Sequence, residues 1–352
     1  MTGGAGFVGA NVAVALAERN PEWRVVAFDN LRRRGAELNL VRLREAGAEF
    51  VHGDVREPSD LADVGELNAV LECSAEPSVL AGLTKGLDFL VRTNLLGAHN
   101  CLELARRHDA SFTFLSTSRV YPVGALNQLR LEEGETRLEL AAEQELVGAS
   151  PEGISEQFPL AGARTFYGAT KLAAELLIAE YAEALGLRAV TNRCGVIAGP
   201  WQMGKVDQGV FTYWLLAHYF GRPLRYLGFG GQGKQVRDLL HVEDLVDLLE
   251  DQLARPDEWA GRTFNVGGGR RCSLSLVELT EICRALTGRS VPIESCPDEA
   301  RPGDVPVYLS DCRQLFAHTE WQPKRDPSAI LGDVLEWARA NERAIREALD
   351  FG

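Results

Sequence analysis

The feature that most constrains the fold is a glycine-rich start: Gly3, Gly6 and Gly9 lie three residues apart, directly before a helix-forming segment at about residues 7–19. Glycines at this spacing let the backbone turn tightly and approach a pyrophosphate at the N-terminus of the following helix. A short apolar strand then ends in Asp29, about 20 residues later, where a carboxylate can accept hydrogen bonds from an adenosine ribose. The alternative is a glycine-rich turn without a ligand. We predict a dinucleotide site that includes Gly3, Gly6, Phe7, Val8, Gly9, Asp29 and Asn30.

Asp29 also indicates which dinucleotide binds. Its carboxylate would repel the 2′-phosphate of NADP, which favours NAD as the cofactor. Arg32, Arg33 and Arg34 argue the other way, because arginines can hold such a phosphate. We interpret them as a solvated loop or as contacts to other phosphates, and we expect NAD.

Short apolar segments alternate with helix-forming segments through about the first 190 residues. This alternation predicts an α/β fold, a Rossmann-type doubly wound parallel sheet whose ligands lie at the carboxyl ends of the strands. Only Met1 and Thr2 precede the glycine loop, although such a loop normally follows a buried central strand. Loss of that strand should cost more than a typical domain stability of about 5–15 kcal/mol, so we expect the native protein to begin upstream.

The pattern changes beyond about residue 193, where a Gly-Pro-Trp-Gln stretch precedes an aromatic helix at about 208–220. We predict an NAD-binding domain from 1–192 and about 236–268, and a smaller C-terminal substrate-binding domain from about 193–235 and 269–340. The irregular, acidic stretch 123–164 is predicted to be a lid or an insertion.

Polar residues follow two of the predicted strands. Asp54 and Val55 come after the strand at about 49–52 and could lie against an adenine edge, or Asp54 could be an ordinary turn residue. Thr117 and Ser118 end the strand that begins at Ser111. In a parallel sheet these hydroxyls lie at the edge where chemistry occurs.

Tyr167 and Lys171 stand four residues apart at the start of a segment rich in Leu, Ala and Glu. In a helix the two side chains lie one turn apart on one face. A nearby ammonium favours the phenolate, so a tyrosine with an ordinary pKa of about 10 could act as a base near neutrality. The pair is a candidate catalytic site, although this spacing also arises by chance in helices.

Charge and cysteine content exclude several classes of partner. The formal net charge of -13 argues against nucleic acid, because a phosphate backbone needs a basic surface. Seven scattered cysteines without metal-ligand spacing, in a large chain without a signal peptide, are typical of reduced thiols in the cytoplasm. The longest apolar run, 210–220, is too short to span a bilayer. We therefore expect no metal, no nucleic acid and no membrane.

Seven motifs in order resemble the extended short-chain dehydrogenase/reductase family, which includes NAD-dependent sugar-nucleotide epimerases and dehydratases. The resemblance runs from Thr2 to about Pro323, nearly the whole chain. The motifs are residues 2–9, Asp29-Asn30, 53–56, 116–121, 167–171, Arg237-Asp238 and 301–304.

Within this family the residues most resemble epimerases that act on carbon 2 of a CDP-sugar. The resemblance rests on 29–31 with Arg33, and on 50–54, 207–209, 233–238, His241, Glu243-Asp244 and 273–276. Family dehydratases place Asp-Glu after the catalytic threonine, whereas this chain has Ser118-Arg119, so water elimination is not expected. A UDP-hexose 4-epimerase and a non-catalytic NAD-binding regulator remain alternatives.

The resemblance implies a role for each site residue. Tyr167 would be the base, Lys171 would hold the nicotinamide ribose, and Thr117 would hydrogen-bond the reacting oxygen. The smaller domain would bind the nucleotide sugar, and the helices at 94–107 and 167–185 would pair two subunits into a homodimer. Further cofactor contacts would come from Asp54, Val55 and Asn94, and substrate contacts from Ser118, Arg119, Asn192, Gln208, Gln235, Arg237 and Arg301.

Two positions depart from the family pattern. The family has an aliphatic-His-Leu-Ala loop after the fourth strand, where this chain has Leu71-Glu72-Cys73-Ser74. The family also has a glycine where this chain has Pro122. The first departure falls in the loop expected to face the cofactor.

Overall fold

The structure is a computed structural model that describes residues 1–83, 86–204, 209–299 and 301–349. The chain divides into two compact units. The first comprises Met1–Val120, Phe166–Arg193 and Leu245–Phe264, and the second comprises Tyr121–Thr165, Cys194–Asp244 and Asn265–Gly352.

Helices and strands are numbered in chain order. The helices are α1 Phe7–Arg19, α2 Asn39–Glu45, α3 Pro58–Leu61, α4 Leu87–Val91, α5 Gly97–Arg107, α6 Val123–Leu126, α7 Phe166–Leu185, α8 Val210–Phe220, α9 Val242–Ala254, α10 Pro256–Trp259, α11 Leu276–Thr287, α12 Arg313–His318, α13 Pro327–Ala340 and α14 Glu342–Leu349. The strands are β1 Val26–Asp29, β2 Glu49–His52, β3 Ala69–Glu72, β4 Ser111–Thr117, β5 Leu131–Glu133, β6 Leu138–Leu140, β7 Ala149–Ser150, β8 Gly153–Ile154, β9 Ala189–Cys194, β10 Val196–Ala198, β11 Leu224–Leu227, β12 Val236–His241, β13 Arg262–Val266, β14 Ser273–Ser275, β15 Ile293–Cys296 and β16 Val307–Tyr308.

The first unit is built on parallel strand pairs that alternate with helices. The order β13-β9-β4-β3 forms one sheet, with β3 and β4 parallel, and β1 pairs in parallel with β2. Thr2 pairs with Phe28 of β1 on one side and with Glu72 of β3 on the other. The Thr2 amide donates to the Leu71 carbonyl at 3.0 Å, and the Phe28 amide donates to the Met1 carbonyl at 2.8 Å. This arrangement confirms the predicted α/β class.

The core of the first unit lies between β4 and the helices α5 and α7. Every residue of β4 is buried, as expected of a strand covered on both faces. Phe112 and Phe114 of β4 pack with Leu102 of α5 and Ile178 of α7. Helix α7 also contacts the turn Ser118–Val120 that directly follows Thr117, at the carboxyl end of β4.

The second unit is organised around β12. This strand pairs in parallel with β10 and β16 and antiparallel with β14, and β11 pairs in parallel with β15. Helices α8, α11 and α13 pack together. The start of α11 carries a capping box, in which Ser275 accepts from the Glu278 amide and Glu278 accepts from the Ser275 amide.

Residues 121–165 fold with the second unit, whereas the boundaries predicted from sequence assign them to the first. They contain two antiparallel hairpins, β5-β6 and β7-β8, rather than an irregular lid. The Leu138 amide donates to the Lys234 carbonyl at 2.9 Å, and the Ile154 amide donates to the Leu309 carbonyl at 2.8 Å. Strands of two or three residues are too short to show an alternating sequence pattern, which explains the difference.

Within the described ranges, no helix is long and apolar enough to cross a membrane. The same ranges contain no cluster of His, Cys, Asp and Glu that could hold a metal ion. The seven cysteines are free thiols.

Candidate cofactor and active site

The glycine loop is tightly packed on its inner side and open at the start of α1. A Cβ at Gly3, whose φ is +62°, would lie 2.9 Å from the Cys73 backbone, and a Cβ at Gly9 would lie 2.1 Å from the Gly3 carbonyl oxygen. At Gly6, the N-cap of α1, an added Cβ would meet within 4 Å only the Gly3 oxygen, at 3.1 Å. No side chain of the described residues caps this helix. The loop therefore leaves the amides at Phe7 and Val8 accessible to an anion.

Asp29, Asn30 and Asp54 lie together where β1 and β2 end. The Asp29 carboxylate accepts hydrogen bonds from the Ala5 amide at 3.1 Å and the Leu31 amide at 2.8 Å. Burial raises the pKa of Asp29, and these backbone bonds oppose the rise. The Asn30 amide donates to Asp54 at 2.9 Å. Three of the predicted cofactor residues are thus brought to one edge.

A salt bridge and an aromatic contact surround Asp54. Hydrogen bonds from the Arg56 guanidinium, at 2.9 and 2.6 Å, lower the pKa of the Asp54 carboxyl. The guanidinium carbons of Arg32 and Arg56 lie 3.9 and 4.9 Å from the centroid of the Phe89 ring. Arg32 therefore stacks on an aromatic ring, and Arg56 neutralises an acid.

The side chains of Val55 and Asn94 are internal. Val55 is buried, and a Cβ at Gly97 would lie 2.7 Å from its methyl group. Asn94 accepts from the Glu76 amide at 2.8 Å and donates to the Glu76 carbonyl at 3.1 Å and the Thr170 hydroxyl at 3.2 Å. Asn94 therefore ties the loop after β3 to α7.

The loop, the acid at the end of β1 and the open start of α1 fit NAD. The residues that would hold its pyrophosphate are Gly6, Phe7 and Val8, and Asp29 would bind its adenosine ribose.

Three candidate catalytic side chains come from two adjoining elements of the first unit. Thr117 ends β4, while Tyr167 and Lys171 lie in the first turns of α7, which packs against β4 and the short helical turn Ser118–Val120. The three residues are 8%, 9% and 2% exposed. The Arg119 amide donates to the Thr117 hydroxyl oxygen at 3.2 Å, which leaves the hydroxyl hydrogen for another acceptor.

Lys171 has a buried acidic partner that sequence reasoning missed. Its ammonium nitrogen lies 3.6 Å from Oε2 of Glu72, which is 1% exposed, and 4.0 Å from the centroid of the Phe114 ring. The Ser74 hydroxyl donates to Oε1 of Glu72. Burial raises the pKa of Glu72, and the Lys171 charge opposes the rise. The available sequence signal was an acid at the end of an otherwise apolar strand.

A second buried ion pair lies one turn further along α7. Glu175 accepts from Nε and Nη2 of Arg193 at 3.1 and 2.8 Å, and the Ser116 hydroxyl donates to its other oxygen. Both charged side chains are buried. This pair fixes α7 to β4 and β9.

The predicted substrate contacts are not brought together in one unit. Ser118 and Arg119 lie in the turn after β4. The prediction that Asn192 binds the substrate is wrong. Its side chain is fully buried and exchanges two amide hydrogen bonds with Gln252, at 2.8 and 2.9 Å, so a substrate cannot reach it. Gln208 lies outside the described residues.

The other three predicted substrate residues are in the second unit. The Arg237 guanidinium donates to the Asp304 carboxylate and the Val305 carbonyl, which ties it to the turn that carries Arg301. Gln235 is 9% exposed, and within the described part of the chain its Oε1 accepts no hydrogen bond. A buried acceptor without a donor is costly. The Oε1 atom of Gln235 is therefore a hydrogen-bonding group that still needs a donor.

The chain belongs to the NAD dependent epimerase/dehydratase family, whose model matches residues 1–267. The match confirms the predicted family, the Rossmann-type fold, NAD as the cofactor and an enzyme of this class.

Among relatives by sequence, CDP-paratose 2-epimerase of Salmonella typhi is 30% identical over 96% of this chain and 98% of that protein. The dTDP-glucose 4,6-dehydratase of Mycolicibacterium smegmatis is 30% identical over 99% of this chain and 96% of that protein. The solved structure of UDP-glucose 4-epimerase of Thermus thermophilus with NAD superposes with a TM-score of 0.73, at 25% identity over 96% of this chain and 97% of that chain.

Proposed function

We propose that the protein epimerises a nucleotide-diphosphate sugar through a transient keto intermediate, at carbon 2 of a CDP-sugar. The observation that carries the proposal is the catalytic set on β4 and α7, with Thr117, Tyr167 and Lys171 and no carboxylate at the two positions after the threonine. The similarity to a CDP-paratose 2-epimerase over nearly the full length of both chains supports the choice of carbon and nucleotide.

The chain's own residues would move one proton and hold the reacting oxygen. Bound NAD would supply the hydride acceptor and donor for the reacting carbon. Tyr167, as phenolate, removes the hydroxyl proton and later gives it back. The Lys171 ammonium would stabilise the phenolate and hold the nicotinamide ribose, while the Thr117 hydroxyl would donate to the sugar oxygen. Epimerisation then requires only that the ketone present its other face before the hydride returns.

Dehydration is disfavoured although a dehydratase is an equally identical relative. Water elimination from a 4-keto sugar needs one group to remove a proton and another to protonate the leaving hydroxyl. Ser118 and Arg119 occupy the positions after Thr117, and neither side chain can exchange a proton near neutral pH. A reversible oxidation with bound NAD needs only one proton-transfer group, which Tyr167 supplies.

A UDP-hexose 4-epimerase is the second candidate function, favoured by the likeness to the Thermus thermophilus enzyme. It would use the same catalytic residues with a different sugar pose. A non-catalytic NAD-binding regulator is disfavoured because Thr117, Tyr167 and Lys171 are all present.

Product analysis separates these functions. The purified protein is incubated with CDP-linked and UDP-linked sugars, and the products are identified by NMR. We expect inversion at carbon 2 of a CDP-sugar, and inversion at carbon 4 of a UDP-hexose would support the second candidate. Tyr167→Phe is the matched control, since it removes one oxygen and should retain NAD. Binding of NAD with no epimer from any nucleotide sugar would contradict both epimerase proposals.

We also propose that the protein is a homodimer. Along the helical segments of the first unit, Leu96, Phe166, Leu176 and Leu185 are 46%, 43%, 64% and 59% exposed. Apolar side chains on adjacent helices favour burial against a second copy. Light scattering during size-exclusion chromatography should give twice the chain mass, and Leu176→Glu should give a monomer.

A further inference from the structure

Glu72 is a charged group in the candidate active site to which the proposed reaction assigns no task. It ends β3 at the carboxyl edge of the sheet, and its side chain is 1% exposed. Within the described part of the chain its Oε2 accepts no hydrogen bond, and the nearest cation is Lys171 at 3.6 Å. A buried carboxylate so poorly satisfied is costly, so its presence needs an explanation.

The position of Glu72 couples it to the proposed base through Lys171. Lys171 lies one helical turn from Tyr167 and is held between the Glu72 carboxylate and the face of the Phe114 ring. A negative charge beside the ammonium reduces the positive potential that Lys171 exerts at the phenol. The carboxylate thus acts on Tyr167 through the Lys171 ammonium.

Resting on the proposed function, we propose that Glu72 is a positioning residue that fixes the Lys171 ammonium and sets the pH range over which Tyr167 ionises. Burial raises the pKa of Glu72, while the Lys171 charge and the Ser74 hydroxyl both favour its carboxylate form. With its charge in place, Tyr167 ionises at a higher pH than Lys171 alone would give.

Other titratable groups face this carboxylate from the neighbouring elements. The Cys101 thiol of α5 is fully buried, and burial first and the Glu72 charge second raise its pKa, so it stays protonated. On α7, Lys171 is the cation that pairs with Glu72. Of these groups, Lys171 is the one placed on the same helix as Tyr167.

The test is Glu72→Gln, which keeps the shape and an acceptor for Ser74 but removes the charge. The readout is tyrosinate absorbance against pH, taken as the difference between each protein and its Tyr167→Phe counterpart, so it needs no substrate. We expect the midpoint to fall by about one pH unit. We also expect kcat on the acidic side to rise by up to about tenfold, with KM for the nucleotide sugar little changed.

Two further variants make the result decisive. Asp88→Asn removes a carboxylate that is 82% exposed in the same unit and should leave the midpoint unchanged. Ser74→Ala removes the hydroxyl that donates to Glu72 and so favours protonation of Glu72. It should lower the midpoint by less than Glu72→Gln does, and it replaces that variant if Glu72→Gln does not fold. An unchanged midpoint in Glu72→Gln, or an equal shift in Asp88→Asn, would overturn the proposal. A shifted midpoint without any epimer would contradict the proposed function but support the role of Glu72.

Discussion

Helix α7 contributes to two buried ion pairs one turn apart, and they differ in how completely their charges are hydrogen-bonded. Lys171 lies 3.6 Å from Glu72, beyond hydrogen-bonding distance. Glu175 accepts from two nitrogens of Arg193, and both of its oxygens are used. The difference follows from the cations, because a planar guanidinium offers parallel donors to a carboxylate and an ammonium is a point charge.

The comparison separates two uses of a buried charge. The saturated pair holds the helix to two strands, and removal of one partner leaves the other with no replacement. The loosely satisfied pair keeps an ammonium able to bind another oxygen, at some cost in stability. Substitution of Lys171 should therefore mainly reduce turnover, and substitution of Arg193 should mainly reduce the free energy of unfolding.

Lys171→Met should have the largest effect on turnover. Loss of the ammonium removes the charge that favours the Tyr167 phenolate, so we expect kcat to fall by about 10²–10⁴-fold. Stability should fall by less than in Arg193→Met, because Glu72 already has a raised pKa and can take up a proton. Steady-state kinetics and denaturant unfolding on the same preparation measure both effects, and a stability loss equal to that of Arg193→Met would break the comparison.

Arg193→Met should have the largest effect on stability. It leaves Glu175 buried without its cation, which typically costs about 3–5 kcal/mol in the free energy of unfolding. The protein that remains folded at low temperature should retain near-normal kcat. If Arg193→Met stayed stable but lost turnover, the catalytic role would belong to the Glu175–Arg193 pair, which would contradict the comparison.

Ser116→Ala and Ser74→Ala test the hydroxyl donors of the two pairs. Each serine donates to the carboxylate of its pair. We expect Ser116→Ala to lower the free energy of unfolding by about 1–3 kcal/mol, because it leaves a buried carboxylate oxygen less satisfied. Ser74→Ala should cost less, because Glu72 can protonate. Urea titrations of both variants measure the two losses in free energy of unfolding. A larger loss in Ser74→Ala than in Ser116→Ala would contradict the distinction between the two ion pairs.

The smallest effect is the pH dependence of stability at Glu72. A carboxyl whose pKa is raised in the folded state contributes stability that is present below its unfolded pKa of about 4.3 and lost as pH rises through the folded pKa. Glu72→Gln removes that loss, so its stability relative to wild type should increase as pH rises through this window. Unfolding at a series of pH values checks the sign, and a constant difference would contradict it.

The cofactor loop and the fold class were predictable because their determinants are local. Gly3, Gly6 and Gly9 act through turns and close approaches within one stretch, and the alternation of strands and helices is visible in short windows. The family match confirmed the fold class and NAD as the cofactor. The predicted substrate contact at Asn192 was wrong because its hydrogen-bond partner, Gln252, lies on α9. No residue near Asn192 in sequence indicates that amide pair.

Glu72 could not be assigned for the same physical reason. It and Lys171 are far apart in sequence, and they approach because α7 packs against β4, which pairs with β3. The hairpins in residues 121–165 could not be predicted either, because they are held by hydrogen bonds to distant residues such as Lys234 and Leu309. Contacts between distant segments decide these cases, and sequence periodicity does not report them.

Epimerisation in deuterium oxide tests the central claim most directly. In the proposed reaction the hydroxyl proton passes through Tyr167 and exchanges with solvent, while the carbon-bound hydrogen leaves and returns as hydride. We predict that a CDP-sugar inverted at carbon 2 will carry no deuterium on that carbon, and that Tyr167→Phe will form no product while still binding NAD. Deuterium on the inverted carbon, or unchanged turnover in Tyr167→Phe, would contradict the account.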